Sequence, residues 1–171
     1  MDTRHSAPLT LGHQTGRSLH QILAAYCQST DVAYAALLEE SGMVCADAGD
    51  EKLRDHGEMA ALAVGAYHAT QQVALRLGET GFEGLSHEGK NRHFYLSPVD
   101  ARFILLSIFT NDTRLAIVRA GAQKTGNAMC LCLSEAQAPP ADPVTHEIRT
   151  SPTVHEGDIL IARDYFLPLS S

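Results

Sequence analysis

A His-Glu-Gly triplet occurs twice, at positions 87–89 and 155–157, and it is the sequence most suggestive of metal binding or acid–base chemistry. Neither copy continues into H-E-x-x-H, the spacing that places two histidines on one helix face around a zinc ion. No third ligand stands at a suitable spacing from either pair. We therefore interpret both triplets as ordinary polar residues of a loop or a strand end, and we expect no bound metal.

Serine, glycine and cysteine residues form no stronger chemical motif. Ser41-Gly42 lacks the flanking glycines of the G-x-S-x-G nucleophile elbow. Gly81, Gly84 and Gly89 are not followed by the Lys-Ser or Lys-Thr pair of a phosphate-binding loop. The four cysteines, at positions 27, 45, 130 and 132, include no C-x2-C pair, and Cys27, Cys130 and Cys132 are interpreted as small buried apolar residues of predicted helices. No catalytic residue and no cofactor site is predicted, which favours a binding or regulatory domain over an enzyme.

The composition is that of one acidic domain with a packed core. The chain has 171 residues, of which 44% are hydrophobic, and its formal net charge is −7. Lysine and arginine form no run, so nucleic acid is not expected as a partner. Residues 1–14 lack the apolar segment of a signal peptide, and we expect a cytoplasmic location.

The segment Met59–Leu75 contains no charged residue, although charged residues make up 19% of the chain. Its spacing predicts a helix with one stripe facing the core, formed by Met59, Leu62, Ala63, Ala66, Thr70, Val73, Ala74 and Leu77. The opposite face carries Ala61, Val64, Gly65, His68, Gln71 and Gln72, where a solvated helix would carry charges. The run is short for a membrane span and includes polar residues. We interpret it as a helix that packs on its own sheet and faces a second subunit or another protein.

The remaining elements follow from hydrophobic pattern and turn residues. We predict the order α-β-β-α-β-β-β-α and an α/β (α+β layered) fold with a five-stranded antiparallel sheet and helices on its faces. The predicted helices other than Met59–Leu75 are Gly16–Gln28 and Gly121–Glu135. The predicted strands are Val32–Glu39, Met43–Ala46, Leu85–Ser97, Arg102–Thr110 and Leu115–Arg119.

Three regions are expected along the chain. Residues 1–14 are predicted to form a flexible arm, residues 15–135 the folded domain, and residues 136–171 a proline-rich extension. Within the extension, Asp158–Leu167 is apolar enough to dock as an added strand or extended segment on its own domain or on a partner subunit. A disordered tail that offers a motif to another protein remains the alternative.

Several motifs together resemble the roadblock/dynein light chain family over roughly Leu19–Leu133. They are the hairpin sequence ALLEESGMVCADAG, Leu62–Gly65 with Ala69, Phe82, His87-Glu88-Gly89, and the sequence FTNDTRLAIVR that ends at Arg119. Within that family the chain is most similar to bacterial polarity regulators. The resemblance implies a homodimer in which third strands and central helices meet, with a small Ras-like GTPase of the MglA type as partner.

The resemblance also assigns residues. It implies a dimer interface of Ala61, Leu62, Gly65, Ala69, His87 and Tyr95, and GTPase binding by Gly65, His68 and Gln72. Members of this kind activate GTP hydrolysis by remodelling the GTPase, without donating an arginine finger. Two other functions stay open: a non-catalytic scaffold in a signalling complex, and a small-molecule sensor, which a closed pocket lined by polar groups would favour.

Overall fold

Five antiparallel strands form a single sheet in the computed structural model, which describes residues 12–54 and 57–137. The spatial order is β2-β1-β5-β4-β3, so β2 and β3 are the edges. The predicted antiparallel sheet is confirmed. The strands are β1 (Tyr34–Glu39), β2 (Val44–Gly49), β3 (Leu85–Glu88), β4 (Arg92–Pro98) and β5 (Phe103–Thr110).

Three helices cover the two faces of this sheet. They are α1 (His13–Thr30), α2 (Glu58–Arg76) and α3 (Leu115–Gln137), and a short 3-10 turn at Glu51–Leu53 precedes α2. Alternate residues of β5 enter two separate cores, as the period of a strand requires. Leu105 packs with α1 and α3, whereas Leu106 packs with α2. The central strand β5 is consequently buried on both faces.

The predicted third strand, Leu85–Ser97, is wrong as a single strand, because it is a hairpin. β3 ends at Glu88 and β4 begins at Arg92, with the Gly89 amide donating to the Arg92 carbonyl at 3.2 Å. A residue distant in sequence also stabilises the turn, since the Asn111 side-chain amide donates to the Lys90 carbonyl at 3.1 Å. This second contact joins residues far apart in sequence, so local pattern could not reveal it.

The predicted strand Leu115–Arg119 is also wrong, because these residues form the first turns of α3. A short apolar run fits a strand and a buried helix equally well. The residues that follow favour a helix over a strand. Along α3 the residues buried at helical spacing are Val118, Ala122, Met129 and Leu133. One predicted strand is thus two strands and another is helix, so the number of strands is right for partly wrong reasons.

Element ends differ by a few residues from their predicted positions. Helix α1 begins at His13, after Gly12, and so includes two residues of the expected flexible arm. Strand β2 runs on to Gly49, whose φ of 111° ends it. Residues 1–11, the proline-rich extension from residue 138 on and its apolar segment Asp158–Leu167 lie outside the described residues.

The cysteines predicted to lie in helices do so, but all four cysteines are only partly buried. Cys27 is in α1, Cys130 and Cys132 are in α3, and all four are free thiols. Burial raises the pKa of Cys27 and of Cys45 to about 11, so both thiols stay protonated near neutral pH. Within the described residues, none of the helices is long and apolar enough to cross a membrane.

Candidate functional site

The outer surface of α2 exposes large apolar side chains. Leu62 is 69% exposed, Val73 57% and Leu77 77%. The residues that pack on the sheet are instead Ala60, Val64 and Tyr67. The predicted buried stripe is therefore wrong for Leu62, Val73 and Leu77, whereas Met59 and Ala63 of that stripe do pack against the sheet as partly buried residues.

The bulk of Tyr67 explains this rotation of α2. Its ring is 3% exposed and meets the ring of Phe82 edge-on, with 5.1 Å between centroids. Neither face of this alanine-rich helix carries charges, so its hydrophobic pattern alone does not define which face is buried. The largest side chain decides, because burying an aromatic ring removes more apolar area from water than burying Leu62 would.

An apolar groove of about 380 Å³ runs between α2 and the sheet. Every side chain in its lining is apolar: Met59, Leu62, Ala63, Ala66, Phe94, Leu106 and Ile108. The groove extends the apolar surface of α2 toward β4 and β5. We call the exposed face of α2 together with this groove the α2 surface. An apolar surface without charges is typical of a protein interface.

Most of the residues predicted for an interface lie on the α2 surface. Ala61, Gly65, Ala69 and Gln72 are exposed and follow each other at spacings of three and four along α2. Leu62 lies beside them and lines the groove. His68 is half-buried against the Tyr67 ring at 5.7 Å between centroids. The structure thus brings the predicted helix residues together on one side of the molecule.

His87 joins the α2 surface from the edge of the sheet. It lies in β3 opposite Phe94 of β4, and the two rings stack with centroids 5.0 Å apart. Because Phe94 lines the groove, His87 stands next to it. The outer edge of β3 has no neighbouring strand in the described part of the sheet. The groove and an open strand edge are therefore adjacent.

The structure places Tyr95 elsewhere. Tyr95 is 2% exposed and packs in the core that α1 and α3 cover, on the opposite face of the sheet from α2. Its hydroxyl donates to the Glu83 carbonyl at 3.1 Å. Phe94, Leu106 and Ile108 were not predicted for the surface but line its groove. Strand alternation in the sequence RHFYLSP could have placed Phe94 and Tyr95 on opposite faces.

The α2 surface has few charged groups. Glu58 in the first turn and Arg76 in the last are the only charged residues of α2. Among the described residues, no group of three or more His, Cys, Asp or Glu side chains is placed to hold a metal ion. A partner that binds this surface would remove apolar area from water, which favours association.

A family model of the Roadblock/LC7 domain matches residues 19–109, which is more than half of the chain. The chain belongs to the Roadblock/LC7 domain family. The match includes α2, β3, β4 and all of β5 but its last residue, and so includes every residue that lines the groove. The resemblance found in the sequence is thereby confirmed.

Solved structures of roadblock proteins share this fold. Myxococcus xanthus MglB has a TM-score of 0.69 and 22% identity, and the match covers 78% of this chain and 100% of that one. The gliding protein MglB of Thermus thermophilus gives 0.67 and 22%, with coverage of 76% and 98%. A Roadblock/LC7 domain from Streptomyces avermitilis gives 0.61 and 21%, with coverage of 67% and 97%. A search of the curated proteins found no match.

Proposed function

We propose that this roadblock protein is a homodimer that binds and regulates a small Ras-like GTPase through the α2 surface. The observation that carries the proposal is the uncharged, apolar and exposed face of α2. The family and the fold shared with MglB proteins support it. The GTPase would be of the MglA type, and the regulation would be activation of GTP hydrolysis or binding alone.

A second copy of the chain is the occupant proposed for the groove. In a two-fold dimer the same patch meets itself, so an apolar patch without charges is compatible with its own copy. Leu62 would enter the partner's groove while the open edge of β3 pairs with its symmetry mate. One of the similar solved structures is described as MglB with a tetrameric arrangement.

The dimer is tested with a pair of matched substitutions. Leu62 on α2 is 69% exposed and Leu131 on α3 is 66% exposed, so a glutamate costs each site a similar amount of folding stability. Leu62→Glu should leave a monomer, because it buries a charge in the interface. Leu131→Glu should leave the dimer intact. Multi-angle light scattering at micromolar concentration measures both, and a monomeric wild-type protein would exclude the dimer.

The polar residues of α2 are proposed to contact the GTPase. His68 and Gln72 lie one turn apart beside Gly65, where an added Cβ atom would meet nothing within 4 Å. No arginine lies between Met59 and Leu75, so that segment offers no arginine finger. Regulation would then work by binding one conformation of the GTPase better than another, which shifts the population of its own catalytic residues.

Single-turnover GTP hydrolysis by the purified cognate GTPase, with and without the wild-type protein, tests regulation directly. We expect faster hydrolysis with the protein present. His68→Glu and Gln72→Glu should weaken GTPase binding more than they weaken the dimer. Asn127→Glu, at an exposed site on α3, adds the same single negative charge and is the control. Binding without any change in rate would favour the scaffold function instead, and no binding would reject the GTPase as partner.

A further inference from the structure

The backbone groups of β3 point alternately toward β4 and toward the open edge of the sheet. At the turn, the Gly89 amide donates to the Arg92 carbonyl, so these two residues form a hydrogen-bonded pair. Every second residue of β3, counted back from Gly89, therefore bonds to β4 in the register of this hairpin. The amide and carbonyl groups of Ser86 and Glu88 consequently point to the open edge.

The other edge of the sheet, β2, is partly covered by α1. The Asp50 amide donates to the Ala33 carbonyl, so by the same alternation Asp47 and Gly49 point away from β1. The His20 ring nitrogen Nδ1 donates to the outward Asp47 carbonyl at 2.6 Å. Within the described sheet, β3 is thus the more accessible edge for a second strand.

Three registers allow β3 to pair with a second copy of itself around a two-fold axis, with Ser86 and Glu88 as the bonding residues. An axis at His87 pairs Ser86 of each copy with Glu88 of the other, which makes two hydrogen-bonded pairs. An axis at Ser86 or at Glu88 makes a single pair within the strand. A further pair would then need Gly84, whose φ is 152°, or Lys90 in the turn. Backbone hydrogen bonding therefore favours the axis at His87.

The side chains of β3 favour the same register. An axis at Glu88 would place two carboxylates directly opposite each other, and like charges in that position are destabilising. With the axis at His87, each Glu88 lies opposite a Ser86 hydroxyl, which can donate to it. The two His87 rings then face each other in a non-hydrogen-bonded pair, where opposite side chains are closest. They lie on the other face of the sheet from Glu88, because side chains alternate along a strand.

The surroundings of His87 are apolar or positively charged. Its ring stacks on Phe94, with centroids 5.0 Å apart, and Phe94 lines the groove of the α2 surface. The ion pairs of the described residues do not include His87. The charged residues of the neighbouring elements are Arg92, on the same face of β4 as Phe94, Lys90 in the turn, and Glu58 and Arg76 near the two ends of α2. Neither charged residue of α2 lines the groove.

We propose that the two His87 rings of a dimer meet at its two-fold axis and that their protonation weakens the dimer. The inference rests on the dimer of the proposed function and adds its register and its regulation by pH. Histidine is the side chain whose charge ordinarily changes between pH 5 and 8. Two imidazolium ions side by side, with Arg92 on the same face, repel each other. Formation of the dimer therefore releases protons, and the dimer weakens as the pH falls.

Cysteine cross-linking of the full-length protein tests the register. His87→Cys should form a disulfide between copies under mild oxidation, because directly opposite Cβ atoms lie about 4.5 Å apart, close to disulfide geometry. Ser86→Cys and Glu88→Cys are matched controls on the same edge. Each would lie about 7–8 Å from its own copy, too far for a disulfide. Electrophoresis without reducing agent measures the cross-link, with the wild-type protein and its four native cysteines as background.

Sedimentation velocity at pH 8 and pH 5.5 tests the regulation. The dissociation constant of the wild-type dimer should rise about tenfold or more at the lower pH. His87→Phe keeps an aromatic ring on Phe94 but cannot be protonated, so it should abolish the rise. Should this variant be insoluble, His87→Gln replaces it and must have the same effect. His13→Gln, at an exposed histidine of α1, is the matched control and should keep the rise.

The outcomes separate this inference from the proposed function. A wild-type protein that is monomeric at pH 8 rejects the dimer itself and this contact with it. A dimer that cross-links through residue 86 or 88, or through none of the three, leaves the dimer standing and rejects the register. A dissociation constant that is the same at both pH values, or that rises equally in His87→Phe, rejects the regulation by His87.

Discussion

Gly121 of α3 lies in close contact with α1. A Cβ atom at this position would lie 2.6 Å from the Thr30 methyl carbon and 2.8 Å from a carbon of the Tyr26 ring. The ring cannot move aside easily, because its hydroxyl is hydrogen-bonded to the Ser107 hydroxyl at 3.0 Å and donates to the Val118 carbonyl at 3.1 Å. The distance between α1 and α3 on this face of the sheet therefore depends on the absence of a side chain at Gly121.

Gly121→Ala should lower the free energy of unfolding by about 1–3 kcal/mol, the usual cost of overpacking a core. Urea unfolding followed by circular dichroism measures the change. Gly16→Ala is the control, since Gly16 lies in α1 and a Cβ there would meet nothing within 4 Å. That variant should gain up to about 1 kcal/mol from helix propensity. Equal effects at the two glycines would contradict the close contact of α1 with α3.

Glu39 and Arg102 join the end of β1 to the residue before β5. The Arg102 guanidinium donates to Glu39 at 2.8 Å and the Ser41 hydroxyl donates to the other carboxylate oxygen at 2.9 Å. These hydrogen bonds, that of Arg102 first, lower the pKa of Glu39 in the folded protein. A lowered pKa stabilises the fold at pH values above the unfolded value of about 4.3. That stabilisation is lost as the pH falls through the folded pKa.

Glu39→Gln should therefore lower the free energy of unfolding by about 1 kcal/mol at pH 7, a size limited by the partial exposure of the pair. At pH 3 the difference from the wild-type protein should shrink, because the wild-type carboxylate is becoming protonated. Urea unfolding at the two pH values measures it. Glu40→Gln changes the same charge at an exposed neighbour and should have little effect. A loss of equal size at pH 3 would show that packing, and not charge, stabilises this contact.

At the scale of elements, the sequence predicted which segments form helices or strands better than it predicted which face of each element is buried. β1 and α2 were recognised from apolar content and from turn residues such as Gly42, whose φ is 86°. The buried face of α2 was not recognised, because no charge marks the outside of this helix. The predicted interface residues still cluster, since Ala61, Gly65 and Ala69 share one side whichever face is buried.

Tyr67 is the side chain that fixes the orientation of α2 on the sheet. Tyr67→Ala should cost about 3–5 kcal/mol of unfolding free energy, as is usual for a buried aromatic residue. Tyr67→Phe should cost far less, because it keeps the ring that meets Phe82. Leu131→Ala, at an exposed leucine of α3, should change stability by no more than about 0.5 kcal/mol. Chemical denaturation compares the three, and a small effect of Tyr67→Ala would refute this account of α2.

At the scale of the whole molecule, long-range contacts explain what the sequence could not predict. The tight turn at Gly89 depends on Asn111, and the closed helix pair depends on Gly121 meeting Tyr26. The fold class was predictable because hydrophobic pattern and turns are local. Sites that arise where elements meet were predictable only through the family resemblance.

A dimer formed through the α2 surface would make the stability of the molecule depend on its concentration. Two chains must separate to expose Leu62 and the groove, so mass action favours the folded dimer as concentration rises. Each tenfold increase should add about 1.4 kcal/mol per dimer to the apparent free energy of unfolding. Urea titrations over a hundredfold range of concentration measure the shift in midpoint. Leu131→Glu should keep this dependence, whereas Leu62→Glu should remove it. A wild-type midpoint that does not move with concentration would mean that α2 is stable without a second copy and that its apolar surface is reserved for another protein.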